Sequence, residues 1–273
     1  MKKHLLKRQP LLKPNAASQP SNYALRYFIT LSYDGTAYHG WQKQPNANSV
    51  QETLECALRK LIPSLSSTTG AGRTDTGVHA KLMVVHFDSE QAIDAPQIAF
   101  RLNRILPPDI AVHDIKAVRE DTHARFTAQA RTYHYFVYTG KEPFLRHYAM
   151  RLPYEPDYAL MNEAAKKLLR ITDFTSFAKM HTDTKTNICH VTYAAWSQEA
   201  DGRWRFTITA DRFLRNMVRA IVGTLLDVGR GKITMQQFEQ IIYDRNRQAA
   251  GDSVEAQALF LVDIQYPKDI YLS

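Results

Sequence analysis

Residues 70–80 read GAGRTDTGVHA, a glycine-rich loop in which Arg73 and Asp75 stand two positions apart. Its three glycines leave the backbone free to adopt positive φ and to let another molecule approach closely. A carboxylate with cationic neighbours stays ionised at neutral pH, and nucleophilic or base chemistry on a bound substrate needs that form. The same residues also suit an ordinary turn, in which Asp75 caps a backbone N–H and Arg73 is solvated.

Outward from this loop, the hydrophobic pattern predicts interspersed strands and helices. Short apolar or alternating runs predict strands, and apolar residues recurring every three to four positions predict helices. The predicted strands are Leu25–Ser32, Leu82–Phe87, Ile110–Val118, Arg131–Tyr138, Val191–Trp196, Trp204–Thr209 and Leu259–Ile264. The predicted helices are Val50–Leu61, which starts with a capping box at Ser49 and Glu52, Ile98–Ile105, Tyr158–Leu169, Leu214–Val228 and Met235–Tyr243.

The predicted strands form two groups with a loop-rich join near Gly140–Pro156. We therefore expect an α+β fold of two similar sheet-plus-helix domains. The expected divisions are a basic, disordered tail over residues 1–22, a domain over 23–145 that carries the glycine-rich loop, and a second domain over 146–273. The two halves do not align well enough as sequence to prove a duplication.

The charge of the chain is unevenly distributed. The formal net charge is +8 at pH 7, but residues 1–22 hold five Lys or Arg and no acidic residue, so the remaining residues carry only +3. Such a tail attracts phosphate non-specifically, or it is simply a solvated, disordered extension. Composition alone therefore does not establish a nucleic-acid partner.

Several classes of protein are disfavoured by what the sequence lacks. No apolar run is long enough to span a bilayer, and the basic N-terminus lacks the continuous apolar segment of a signal peptide, so we expect a cytoplasmic protein without a membrane partner. Cys56 and Cys189 are too few for a disulfide framework. The sequence has no P-loop and no zinc spacing, and the Cys189-His190 pair is interpreted as packing, so we expect neither metal nor cofactor.

The tripeptide Asp75-Thr76-Gly77 also occurs in aspartic proteases, which need two carboxylates that share a proton. This chain has a single copy, and Arg73 opposes the raised pKa that such a pair requires. A symmetric dimer would supply the second copy, so the sequence by itself leaves this alternative open.

Further motifs accompany the loop over most of the chain, from about Arg26 to Tyr266. In their order they resemble the TruA-type tRNA pseudouridine synthase family, whose signature is similar to GRTDTGVHA. They are Tyr33-Asp34-Gly35, Tyr38-His39-Gly40-Trp41-Gln42, Ser49-Val50-Gln51-Glu52, Leu102-Asn103-Arg104, Leu106-Pro107-Pro108-Asp109-Ile110, His123-Ala124-Arg125-Phe126, Arg131 with Tyr133 and Tyr135, Asp173-Phe174-Thr175-Ser176-Phe177, and Phe213-Leu214-Arg215-Asn216-Met217-Val218-Arg219.

The resemblance implies a role for five residues. Asp75 would be the catalytic aspartate, Tyr133 the aromatic that stacks on the target uracil, and Arg219 the basic partner of the aspartate. Arg73 would lie beside the site and Arg125 in the RNA path. The resemblance also implies a homodimer of two-domain subunits, a cleft that holds the tRNA anticodon stem-loop, and modification at positions 38, 39 and 40 without a cofactor. The alternative is a non-catalytic RNA-binding protein.

Helical spacing gives a separate prediction for three arginines. If the helix Leu214–Val228 extends back to Arg212, then Arg212, Arg215 and Arg219 share the face opposite its apolar stripe. We interpret Arg212 and Arg215 as contacts to RNA phosphates and Arg219 as a site residue, although a charged helix face is also commonly just solvated. Asp75 could attack C1′ or C6 of the nucleotide, or remove the 2′ proton, and the sequence leaves these three open.

Overall fold

The computed structural model of the chain describes residues 25–180 and 185–272. It shows an α+β fold in which one mixed sheet is covered by helices. The basic tail predicted over residues 1–22 lies outside the described residues.

Nine strands in the described residues join into a single sheet. Their order is β4-β1-β3-β9-β5-β8-β7, and the short strands β2 and β6 pair with β3 and β5. All seven predicted strands are confirmed, and the two short ones were missed because two or three residues show no periodicity. The strands are β1 Leu25–Tyr33, β2 Thr69–Gly70, β3 His79–Ser89, β4 Ile110–Val118, β5 Ala130–Thr139, β6 Met150–Leu152, β7 Val191–Gln198, β8 Trp204–Ala210 and β9 Leu259–Gln265.

All five predicted helices are present, with one informative correction. They are α1 Val50–Arg59, α2 Ala95–Ile105, α3 Tyr158–Lys167, α4 Met217–Gly229 and α5 Met235–Asp244. The prediction that α4 starts at Leu214 is wrong, because Asn216 adopts a left-handed conformation (φ 66°, ψ 2°) that cannot lie within a right-handed helix.

The capping box predicted for α1 forms only in part. The Ser49 hydroxyl accepts a hydrogen bond from the backbone N–H of Glu52 at 3.3 Å. The Glu52 carboxylate, however, lies 3.5 Å from Lys43 Nζ, so it is drawn toward the lysine rather than back to Ser49. One of the two predicted capping interactions is therefore present.

The centre of the sheet is a short parallel pairing of β3 with β9, in which His79 faces Phe260 and Ala80 faces Leu261. Since β3 begins four residues after Asp75, this pairing places the glycine-rich loop at the middle of the sheet. The sheet continues across residue 145, because β5 pairs with both β8 and β9. The domain boundary at 145/146 stays a prediction.

The two largest clusters of buried apolar side chains in the described residues lie along the sheet. One is formed largely by β1, β3, β4, α1 and α2, and the other largely by β7, β8, α3, α4 and α5. Tyr133, on β5, packs against both clusters. The fold therefore places Tyr133 where the two cores meet, close to the loop that precedes β3.

Candidate active site

The loop that carries Asp75 is held against the segment that follows β1. A Cβ at Gly40 would lie 2.2 Å from the carbonyl oxygen of Thr74, and one at Gly35 would lie 2.1 Å from that of Val78. Both distances are too short for any side chain, so the two backbones need glycine to approach this closely. The sequence indicated freedom for the loop's own glycines, but of Gly70, Gly72 and Gly77 only Gly77 has positive φ.

Hydrogen bonds fix the residues on both sides of Asp75. The Tyr33 hydroxyl lies 2.9 Å from the Thr74 hydroxyl, and both side chains are buried. Burial raises the pKa of Tyr33, so its hydroxyl remains protonated. On the other side, the N–H of Gly77 donates to the Tyr38 carbonyl at 3.3 Å and that of Val78 to the Asp75 carbonyl at 3.1 Å.

His79 fixes the end of the loop, which sequence reasoning did not anticipate. Its side chain is buried, and its Nδ1 accepts the N–H of Gly35 at 3.0 Å. Its Nε2 lies 3.0 Å from the carbonyl oxygens of His147 and Gln257, and Oδ1 of Asp34 lies 3.1 Å from its Nδ1. His79 thus connects the end of the loop to Gly35, which precedes the predicted domain boundary at 145/146, and to His147 and Gln257, which follow it.

Arg219 approaches Asp75 from the first turn of α4. Its Nη1 lies 3.4 Å from Oδ2 of Asp75, and the Asp75 side chain remains 27 % exposed. Arg219 Nε donates to the carbonyl of Val254 at 2.7 Å, while its own backbone carbonyl accepts from the N–H of Val254 at 3.3 Å. With its backbone and its Nε both bonded to Val254, Arg219 directs Nη1 toward the carboxylate.

A second cation lies at the same carboxylate. Arg215 Nε is 3.8 Å from Oδ1 of Asp75, and the Arg215 side chain is largely exposed. The prediction that Arg212 and Arg215 share a helix face with Arg219 is wrong, because the left-handed Asn216 separates them from α4. Arg212 is half-buried, and its backbone N–H donates to the Asp211 carboxylate at 2.7 Å.

Tyr133 is half-buried beside the loop. Its ring meets Phe213 edge-on, with centroids 5.1 Å apart, and Phe213 was not assigned a role from the sequence. Burial, opposed by Arg131 and assisted by Asp75, raises the pKa of Tyr133 to about 12, so the hydroxyl is protonated. The pairing of β5 with β9 shifts register between Thr132 and Tyr133, and such bulges re-aim side chains.

Arg131 joins three loops around the site. Its guanidinium donates to the carbonyl of Ala71 at 3.1 Å, to that of Asp211 at 2.8 Å, and to that of Arg125. Burial lowers the pKa of Arg131, and bonds to four carbonyls, that of Ala128 included, compensate for the solvation that a buried guanidinium loses. The sequence identified Arg131 only as part of a motif, because nothing local reveals a side chain that spans loops so distant in sequence.

The remaining predicted residues, Arg73 and Arg125, are exposed on the loops around Asp75. Neither forms an ion pair with another residue in 25–180 or 185–272. The site therefore combines one carboxylate, two guanidinium groups within 4 Å of it, a half-buried tyrosine and two solvated arginines. Such a set suits a substrate that carries both an aromatic ring and negative charge.

The described residues contain no group of three His, Cys, Asp or Glu side chains that could hold a metal ion. In the same part of the chain, no helix is both long enough and apolar enough to cross a membrane.

Comparison with known proteins gives consistent matches. The model of a family described as tRNA pseudouridine synthase matches residues 29–127 and 164–267. Both matched ranges contribute to the site, since the first contains Asp75 and the second Arg219, while Tyr133 falls between them.

Curated relatives match nearly the whole chain. The tRNA pseudouridine synthase A of Bacteroides thetaiotaomicron is 56 % identical over 248 residues, which cover 90 % of this chain and 92 % of that protein. The protein of the same name from Bacteroides fragilis is 55 % identical over 247 residues, covering 90 % and 98 %. That of Bacillus licheniformis is 41 % identical over 250 residues, covering 89 % and 99 %.

Proposed function

Since the chain belongs to the tRNA pseudouridine synthase family, we propose that it isomerises uridine to pseudouridine in the anticodon stem-loop of tRNA. The proposed target positions are 38, 39 and 40, and Asp75 is the catalytic nucleophile. The observation that carries this proposal is the partly exposed carboxylate of Asp75, which lies within 4 Å of Arg215 and Arg219 on a loop fixed at both ends.

The reaction breaks the N1–C1′ bond of uridine, turns the detached base and joins C5 to C1′, with loss of the C5 hydrogen as a proton. Atoms are conserved apart from exchange of that proton with solvent. Attack at C1′, attack at C6 and removal of the 2′ proton all use an ionised carboxylate, and two guanidinium groups lie within 4 Å of that of Asp75. Arg219 is held in place by Val254 before substrate arrives, so little reorganisation is needed at the moment of reaction.

A stacked uridine must leave its RNA stack before the carboxylate can reach it. The ring of Tyr133 is well placed to receive the extruded uracil, because it lies beside the loop and Phe213 fixes its orientation. Stacking on an aromatic side chain contributes about 1–3 kcal/mol per base, which offsets part of the stacking lost in the RNA.

We place the RNA in a cleft between the two predicted domains, 23–145 and 146–273. Asp75 comes from the first and Arg219 from the second, and Tyr133 packs against both cores. Arg73, Arg125 and Arg215 are exposed around this position and suit contacts to phosphates. We also expect a homodimer, which light scattering of the purified chain tests directly.

The proposal is tested with tRNA transcripts that retain a single anticodon-arm uridine, at position 38, 39 or 40. After incubation with the chain, pseudouridine is mapped by carbodiimide modification and primer extension. The proposal predicts product at these positions and none in a transcript in which all three are replaced by cytidine. A transcript that binds but stays unmodified at every position would instead indicate the alternative, a non-catalytic RNA-binding protein.

A further inference from the structure

Phe126 is an exposed aromatic side chain beside the proposed active site. Its side chain is 75 % exposed, although it follows the buried Ala124 by only two residues. Single exposed apolar side chains are ordinary on protein surfaces, so what distinguishes Phe126 is how its ring is held and what lies beside it.

The exposure of Phe126 does not result from a loose loop. Its ring lies 4.4 Å from the ring of His123, centroid to centroid. His123 Nδ1 accepts the backbone N–H groups of Arg125 and Phe126 at 3.1 and 3.3 Å, and the His123 N–H donates to the Thr127 hydroxyl at 2.9 Å. The ring is therefore presented by a turn that three hydrogen bonds of its own hold in place.

The turn is also tied to the sheet beneath it. The N–H of Ala124 donates to Nδ1 of His86 on β3 at 3.1 Å, and the Tyr266 hydroxyl donates to the Ala124 carbonyl at 2.5 Å. The ring of His86 meets that of His123 at 4.6 Å, edge to face. A ring held this firmly loses little conformational entropy when a ligand covers it, which is the property of a preformed binding surface.

Arg131 places this turn next to the catalytic loop. The same guanidinium nitrogen donates to the carbonyls of Arg125 and of Ala71, which stands four residues before Asp75. The Arg125 guanidinium lies 5.5 Å from the centroid of the Phe126 ring. A flat, largely exposed apolar ring with a guanidinium 5.5 Å from its centroid, adjacent to the catalytic loop, suits one nucleotide: the base for the ring and the phosphate for the arginine.

We propose that Phe126 is a stacking platform for a nucleobase of the RNA, distinct from the uridine that enters the active site, with Arg125 paired to an adjoining phosphate. This inference rests on the proposed function, because it takes the substrate to be RNA. The platform holds the RNA in place while Tyr133 receives the target base. A single ring flanked by charge is too small for a stable protein interface, which buries far more area.

The first test compares the affinity of tRNA for the native chain, Phe126→Ala and Phe126→Trp, measured by filter binding at fixed salt. One stacked base corresponds to about a ten-fold change in Kd, so we expect Phe126→Ala to bind about ten-fold more weakly and Phe126→Trp to bind at least as well as the native chain. Because the side chain is exposed, neither substitution should alter the thermal unfolding midpoint.

Phe100 provides a matched control. It is 65 % exposed on α2, which packs on the edge strand β4, and Arg104 lies 6.0 Å from its ring, so it has the same kind of cationic neighbour. Phe100→Ala should leave the Kd for tRNA unchanged. Equal affinities for the native chain and Phe126→Ala, or an equal loss in Phe100→Ala, would overturn the proposal.

The second test uses tryptophan fluorescence. The native tryptophans Trp41 and Trp196 are buried, and Trp204 is stacked on Tyr158 at 3.7 Å. Phe126→Trp adds an exposed tryptophan, whose emission should be quenched by a stacked base when tRNA is added, beyond any change in the native chain. Binding without this additional quenching contradicts the platform.

The two proposals fail in distinguishable ways. If the native chain makes no pseudouridine in any tRNA, the proposed function fails. If the native chain is active while Phe126→Ala binds as tightly and Phe126→Trp is not quenched, only the platform fails.

Discussion

Nη1 of Arg219 lies 3.4 Å from Oδ2 of Asp75, across a sequence separation of 144 residues. The guanidinium is positioned independently of the carboxylate, because Arg219 Nε donates to the Val254 carbonyl at 2.7 Å. This arrangement makes Arg219 a fixed charge beside Asp75 rather than a mobile side chain that follows it.

Two substitutions of Arg219 distinguish the effect of its positive charge from the effect of its hydrogen-bonding geometry. Arg219→Ala removes both, and we expect kcat to fall on the order of 10²-fold or more, as for loss of one preorganised electrostatic contact. Arg219→Lys keeps a cation but cannot contact Val254 and Asp75 through a planar fork, so we expect an intermediate loss. Initial rates at saturating tRNA measure the loss of kcat in both variants.

Arg215→Ala is the control for Arg219, since Arg215 is largely exposed and 3.8 Å from the same carboxylate. An exposed charge at this distance is screened by water, so its loss should affect kcat less than the loss of Arg219. Full activity of Arg219→Ala would remove Arg219 from the mechanism.

Gly40→Ala tests whether close backbone contact positions the catalytic loop. Its Cβ would lie 2.2 Å from the Thr74 carbonyl oxygen, so the loop must shift and we expect activity to be almost abolished. Gly202→Ala is the matched control, because Gly202 has nearly the same φ (+84° against +85°) and nothing within 4 Å of the added Cβ. In both variants a residue with a Cβ must adopt positive φ, which lowers the free energy of unfolding by about 1–2 kcal/mol.

Turnover and thermal unfolding of the two glycine variants separate the effects. We expect Gly202→Ala to be less stable than the native chain and fully active. If Gly40→Ala is equally active, the contact between Gly40 and Thr74 does not position Asp75.

Tyr133→Ala removes the ring proposed to receive the uracil. We expect kcat to fall at least ten-fold, in line with about 1–3 kcal/mol for one stacked base. Tyr133→Phe keeps the ring and its edge contact with Phe213, so its loss should be much smaller. Single-turnover rates on tRNA measure both, and equal losses in the two variants would show that the hydroxyl, not the ring, carries the role.

The stability of the chain should depend on pH through His86. Burial, with Arg26 and His123 nearby and opposed by Asp88, lowers the pKa of His86 to about 4, and its Nδ1 must be unprotonated to accept the N–H of Ala124. Between pH 6.5 and 4 the unfolded chain binds a proton that the folded chain does not, so the free energy of unfolding falls as pH falls.

His86→Gln tests this dependence, because its amide oxygen can accept the same N–H without titrating. Urea unfolding at pH 7 and pH 5 should show a shallower pH dependence in the variant than in the native chain. Some dependence remains, since the pKa of His134 is also lowered to about 4 by burial. The control is His190→Gln, which replaces an exposed histidine that is paired with Asp211. If the free energy of unfolding depends on pH as steeply in His86→Gln as in the native chain, His86 does not contribute to that dependence.

The strands and helices were predictable because their apolar residues repeat with the period of the element. The exception at the start of α4 is instructive. The apolar pattern continues through Leu214, but Asn216 adopts positive φ, and no periodicity in a single sequence reports the backbone angle of one residue. The two arginines before Asn216 were therefore assigned to a helix face that does not exist.

The site residues came from motif resemblance rather than from local chemistry, which left Asp75 equally suited to a turn. The supporting residues were missed because they act across long separations. Arg131 joins carbonyls from three loops, and Gly35 and Gly40 matter only because the loop that carries Asp75 packs against them. Such contacts depend on tertiary structure, which a single sequence does not display.

The central claim, that Asp75 carries out uridine isomerisation, is tested most directly by tritium release from tRNA labelled at uracil C5. Joining C5 to C1′ expels the C5 hydrogen, so release reports the reaction itself. We predict release by the native chain and none by Asp75→Asn, which is nearly the same size and should still bind tRNA. Release by Asp75→Asn at the native rate, or no release from any tRNA by the folded native chain, would contradict the account.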